Sequence, residues 1–273
     1  MIAGWTGCGP LVAALRSQQD CKDLPAFESG GILESPVQAA ITQAAAPAEF
    51  YIPFIPVLAV VVGALVALWR RPNAAVASAI QHFAAGVVFA AAAAEILPQV
   101  KHEGAMLPTA IGGTLGVAVM LGIKTLEEHW KGPVGMLSAI GIDLFVDGVV
   151  LGLAFLAGEK AGFLLAFALT LEVLFLGLTL TTELADSIAS RAKVIALTVG
   201  VALLLPLGAF VAAPVGHLPP DWIIAFLAFG LMALLYLVTE ELLVEAHEKP
   251  DSPLISAMFF VGFLGLLLIE ETL

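Results

Sequence analysis

Ile140–Gly152 reads IGIDLFVDGVVLG, and its interpretation decides the fold. The surrounding sequence is apolar enough to cross a bilayer, yet this stretch carries Asp143 and Asp147. Residues four apart share one face of a helix, so both carboxylates point the same way. A charged side chain at mid-bilayer costs at least ~2.5–3.5 kcal/mol on insertion scales. Two on one face repel each other unless a cation, a proton or water lies between them. The segment is therefore a candidate polar site within a membrane helix, and the rest of the chain must say what it serves.

Hydrophobic residues make up 60% of the 273-residue chain and charged residues 12%, about half the share of a soluble domain. Apolar runs of spanning length recur along most of it, and none has the short alternating pattern of an outer-membrane barrel. The expected fold is all-α: a polytopic membrane protein with eight transmembrane helices. The spans are expected at about 51–69, 74–100, 107–123, 134–157, 163–184, 194–215, 222–244 and 254–269. The link GEKAG between the fourth and fifth reads as a short turn, which makes those helices neighbours. No clean internal repeat is visible along the chain. The domain plan is a tail over 1–49 and one membrane domain over 50–273.

Charge orients the chain. The loops after the odd-numbered spans carry Arg70, Arg71, Lys124, Lys131, Arg191, Lys193 and Lys249, while the alternate loops carry Lys101 and Lys160. By the positive-inside rule both termini are extracytoplasmic, in a plasma or bacterial inner membrane. Cys8 and Cys21 then lie in an oxidising space, where a disulfide and two free thiols are both open readings. MIAGWTGCGP lacks a basic n-region and is not read as a cleaved signal peptide. With 23 acidic against 11 basic residues, nucleic acid is excluded as a partner, and cations are favoured. Lipid is the other expected partner, and a second copy of the chain is a candidate.

Glu172 falls near the middle of the fifth span, so it joins Asp143 and Asp147 as a carboxylate expected to converge at the midplane. Carboxylate oxygens suit Mg²⁺, Mn²⁺, Fe²⁺ or Zn²⁺. Glu95 lies toward the outer end of the second span, placed to pass a cation inward or to complete a coordination shell. Glu240, Glu241, Glu245 and His247 close the seventh span at its inner end. On an α-helix Glu240 and Glu241 point about 100° apart, so one of them is expected to face a pathway. Each also has a plainer reading. Glu95 fits an interfacial carboxylate, the seventh-span group a solvated helix end, and His82 a buried neutral imidazole bonded to a backbone carbonyl. Glu183 lies near the inner surface, Glu270 and Glu271 read as exposed terminal residues, and the LEEH run at 126–129 as an acidic loop face.

Over roughly residues 50–273 the chain resembles the ZIP family of divalent metal transporters. HFAAGVVFAAAAAEILPQV is similar to the family's second helix, with Glu95 at the polar position before Leu-Pro. The fourth-helix motif His-Asn-x-Pro-Glu-Gly is matched by Asp143, Leu144, Phe145, Val146, Asp147 and Gly148, with carboxylates at the His and Glu positions. The fifth-helix motif is matched by Glu172 through Gly177, where only the first polar position keeps a ligand type. LLLPLGA in the sixth span is similar to the family's Glu-Pro-Leu-Gly region, with Leu205 before Pro206. TEELLVEAHE resembles a segment in which Glu240 or Glu241 and His247 take family ligand positions.

The resemblance implies a ZIP-like bundle with both termini outside that moves a divalent cation, zinc or a similar ion such as Fe, Mn or Cd, into the cytoplasm by alternating access. Asp143, Asp147, Glu172 and Glu95 would form the site, with Glu240, Glu241 and His247 at the inner mouth. The ion is cargo, and no resident cofactor and no enzymatic activity is expected. Two other classes are weighed. A non-transporting sensor or scaffold fits the lost motif positions. An intramembrane hydrolase would use paired carboxylates as acid and base, but Asp143 and Asp147 share one helix, and Gly-x-Gly-Asp and His-Glu-x-x-His are missing from the sequence.

Overall fold

The computed structural model describes residues 51–69, 73–103, 106–129, 133–247 and 252–272. The tail with Cys8 and Cys21, the basic residues Arg70, Arg71, Lys131 and Lys249, and the side chains of the LEEH run lie outside the described residues. Those described belong to a compact unit spanning Ala46–Leu273. Among them are eight helices long and apolar enough to cross a membrane, and no strand. In chain order these are α1 (Ile52–Trp69), α2 (Ala74–His102), α3 (Met106–Thr125), α4 (Gly135–Ala157), α5 (Glu159–Ser187), α6 (Arg191–His217), α7 (Pro220–His247) and α8 (Pro253–Thr272). The all-α polytopic expectation holds, and each span lies within a few residues of its expected bounds.

The GEKAG link is shorter than expected. The helix resumes at Glu159, so Gly158 alone joins α4 to α5. Its φ of 152° lies where a side chain is not tolerated. One residue leaves α4 and α5 no freedom but to pack side by side.

α5 is the most buried helix and contacts α1, α2 and α4, while α3 and α8 turn most of their surface outward. Leu58, Leu65, Ile111, Leu115, Leu264 and Leu268 are exposed, as lipid-facing residues are. Helices of this kind gain little from hydrophobic burial against each other, because lipid is as apolar as leucine. Close backbone approach holds them instead. A Cβ on Gly148 of α4 would strike the carbonyl oxygen of Leu205 in α6, and one on Gly208 would strike that of Phe145. Gly63 of α1 and Gly177 of α5 meet Leu174 and Val60 in the same reciprocal way.

The most extensive pairings are α1–α5, α2–α8, α3–α7 and α4–α6. Replacing α1, α2, α3 and α4 by α6, α7, α8 and α5 returns the same set. Thus α1–α5 becomes α6–α4, α2–α8 becomes α7–α3, and the lesser α2–α5 contact becomes α7–α4. Each exchanged helix runs opposite to its counterpart, so this is an inverted-topology repeat. The repeat is hidden in the sequence because lipid-facing positions accept any apolar residue. Its trace survives where α2 and α7 end. Glu95-Ile96-Leu97 is followed by His102-Glu103, and Glu240-Glu241-Leu242 by His247-Glu248, at the same spacing.

Filling one of the closest crossings tests this packing. Gly148→Leu overpacks α4 against α6, at a cost of about 1–3 kcal/mol or more. The expected outcome is a lower thermal midpoint in detergent, with Gly200→Leu, which meets open space, as the unaffected control.

Candidate functional site

Asp143 and Asp147 sit one turn apart on α4 and Glu172 sits mid-way along α5, the two helices that Gly158 forces together. Asp147 and Glu172 are 1% and 6% exposed, and Asp143 is half-buried. One oxygen each of Asp147 and Glu172 is buried without a hydrogen-bond partner among the described residues. Asp147 lies within electrostatic reach of Glu172 and Glu241, and Glu172 within reach of Asp143 and Glu241. Four carboxylates from three helices therefore act on one another in the interior.

Asp143 and Glu172 line a common cavity of about 390 Å³. Its walls also carry Glu183, Glu240, Glu241 and Glu245, together with the cation Lys124. The cavity runs from the buried carboxylates toward the end of the bundle where Glu183 and Glu240 are exposed. From Glu172 to Glu183 on α5 is about 16 Å by helical rise. Asp147 does not line the cavity.

Both Glu240 and Glu241 line it, where one was expected to face a path. The cause is a π-helical turn over Val238–Leu242. Its wider i→i+5 ring brings successive side chains closer in angle than an α-helix does. Within it the Thr239 hydroxyl donates to the carbonyls of Leu235 at 2.9 Å and Tyr236 at 3.2 Å. The two glutamates still divide the work. Glu241 acts on Asp147 and Glu172, while Glu240 stands at the mouth, 3.5 Å from Lys124 Nζ. Lys124 also donates to the Glu240 carbonyl at 3.0 Å. This places a positive charge at the entrance of an acidic cavity, a role its position near the end of α3 did not disclose.

Glu95 is not brought to this cluster. It sits in a second π-helical turn, Ala92–Ile96, just ahead of Pro98. Proline lacks the amide that would continue the ladder, which accounts for this distortion. The charges nearest Glu95 in effect are Glu270 and Lys160. Lys160 pairs with Glu270 at 3.7 Å, and Gln99 Nε2 donates to the Ala157 carbonyl at 2.7 Å, so α2, α4, α5 and α8 are tied together at this opposite end. Glu270 is thus half-buried and paired, not simply an exposed terminal residue. His247 is exposed and lies against His82 rather than in the acidic cavity. His82 is buried, and its Nδ1 is 2.9 Å from the Ser78 carbonyl, as in the plainer reading of that residue.

Among the described residues, no three His, Cys, Asp or Glu side chains are close enough together to hold one metal ion. Asp143, Glu172 and Glu241 share a cavity, with Asp147 outside its lining, but they do not share a coordination sphere. No family model and no curated protein matches the chain. Fold and site together define a polytopic helical membrane bundle with an acidic cavity that reaches its buried core.

Two substitutions test the electrostatics. Lys124→Ala removes the positive charge at the mouth and is expected to tighten Mn²⁺ or Zn²⁺ binding by about two- to tenfold at low salt, read by calorimetry on the purified chain. Asp147→Asn removes one of the mutually repelling carboxylates. It is expected to leave the metal-free thermal midpoint no lower than that of the parent, while abolishing the rise in midpoint that added divalent ion produces.

Proposed function

We propose that this chain is a secondary transporter of divalent cations and a divergent member of the ZIP family. It binds its cargo between Asp143, Asp147 and Glu172. The observation that carries this reading is the cavity in which Asp143 and Glu172, from adjacent membrane helices, open onto a corridor of further carboxylates. Buried acids are costly in a membrane and repel one another, and a divalent cation removes both penalties at once. All-oxygen ligation suits Mn²⁺ and Fe²⁺ as well as Zn²⁺, and the loss of histidine at the helix-four motif shifts preference toward the harder ions.

The basic residues Lys124, Arg191 and Lys193 mark the cavity's end of the bundle as cytoplasmic in a plasma membrane, by the positive-inside rule. The conformation is then inward-facing. Glu241 relays the ion from the buried site to Glu240 and Glu245, and Lys124 makes way as it leaves. At the outer end Glu95 admits the ion, behind a closure formed by Lys160 with Glu270 and by Gln99 with the Ala157 carbonyl. Opening there draws Asp143, Asp147 and Glu172 into a common sphere as the inner corridor closes. Inverted repeats are the usual basis for such an exchange, since each half adopts the other's conformation in turn.

A sensor or scaffold is the second reading, favoured by the separation of the carboxylates in this conformation. Uptake into proteoliposomes separates the two. The full chain is expected to load Mn²⁺ or Zn²⁺ into vesicles containing a metal-responsive dye. Asp143→Asn with Glu172→Gln is expected to reduce the rate to that of protein-free vesicles. Uptake that survives the double substitution, or an inert parent that still binds metal, would remove the transport reading.

A further inference from the structure

A second cavity, of about 280 Å³, lies between the end of α1 at Trp69, the end of α5 with the link that follows it, and the start of α6 at Arg191. The three helices pack on one another in pairs. α5 turns Thr179 and Glu183 to the acidic cavity, and from its opposite face Thr181 and Thr182 to this one. The space is close to the ~300 Å³ at which small-molecule pockets begin.

Its chemistry is the reverse of the acidic cavity's. Among the described residues no acidic side chain lines it, and Arg191 is its charged group. Arg191 is exposed and forms no ion pair among the described residues. The hydroxyl protons around it are already committed. Thr182 donates to the Thr179 carbonyl at 2.7 Å. Thr198 donates to the Val194 carbonyl at 3.0 Å, and Thr181 packs against its oxygen at 3.4 Å. The guanidinium is therefore the side-chain donor left for a ligand. Its planar fork of N–H groups stays charged at any working pH and matches a phosphate.

Depth selects the source of that phosphate. Trp69 ends α1, Ser187 ends α5 and Arg191 begins α6, so the cavity lies where the spans leave the hydrocarbon. Trp69 is 92% exposed, and tryptophan gathers at the membrane–water interface. Further into the membrane, Leu65 and Val66 of α1 and Leu197 of α6 are exposed and offer apolar surface to acyl chains. Arg70 and Arg71, outside the described residues, follow Trp69 directly in the sequence. The positive-inside rule puts this end on the cytoplasmic side, where anionic lipids face basic pockets between helices.

We infer that the α1–α5–α6 cavity binds the phosphate of an anionic phospholipid of the inner leaflet, held by Arg191 and flanked by Trp69. The bound lipid braces three helices, one of which carries Glu172 and walls the acidic cavity on its other face. The site needs no metal, so it stands or falls apart from the transport reading.

The experiment is native mass spectrometry of the purified full chain in detergent, with phosphatidylglycerol and phosphatidylcholine supplied in equal amounts. The parent is expected to retain one phosphatidylglycerol per chain in preference to phosphatidylcholine. Arg191→Gln is expected to weaken that retention about fivefold or more, the worth of one basic group at an anionic surface. Lys193→Gln removes an equal charge two residues away that does not line the cavity, and is expected to keep it. Ala189→Trp fills the cavity from the link and leaves Arg191 in place, and is expected to abolish it. Ala189 and Arg191 are both exposed, and Arg191→Gln tests the site alone if the tryptophan disturbs the link. Equal retention of the two lipids by the parent, an equal loss in Lys193→Gln, or retention undiminished in Arg191→Gln would overturn the proposal. Displacement of the lipid by an equal concentration of glycerol phosphate would assign the cavity to a free anion and overturn it as a lipid site.

Discussion

The mutual repulsion of Asp143, Asp147, Glu172 and Glu241 inside a membrane bundle is the constraint around which the rest of the molecule is arranged. Carboxylates this close need a cation or a proton to relieve them, and a scaffold that keeps them together. The scaffold is rigid where it has to be. Gly158 ties α4 to α5 by one residue, and reciprocal glycine contacts set α4 on α6 and α5 on α1 at backbone distance. Those crossings hold the acidic residues in place without spending apolar surface, which lipid would match in any case.

The two ends of the bundle are built differently. One is tied shut by Lys160, Glu270, Gln99 and the Ala157 carbonyl. The other is open, lined by acids and occupied at its mouth by Lys124. Two helices with π-helical turns, α2 and α7, carry Glu95 and the Glu240–Glu241 pair in those turns. Such turns are local weak points in a helix and are frequent at functional sites. Their placement at equivalent positions of the internal repeat gives each half of the molecule its own distortion beside its own carboxylate.

Nitrogen and oxygen donors are kept apart. The acids line the buried corridor, and the imidazoles of His82 and His247 meet at the join of α2 and α7.

Hydropathy and length alone determined that this chain crosses a membrane eight times, because spanning needs about 20 apolar residues and little else achieves that pattern. The expense of intramembrane charge also singled out Asp143, Asp147 and Glu172 without any coordinates. Helical periodicity was reliable for residues on one helix. It failed at Glu240 and Glu241, because a π-helical turn changed the angle between them. Only the tertiary structure decided which carboxylates face one another, that Glu95 sits with Lys160 and Glu270, that Lys124 enters the acidic cavity, and that His82 meets His247 across 165 positions of sequence. These depend on how helices cross, and crossing is set by small residues and backbone contacts that leave almost no mark in an apolar sequence.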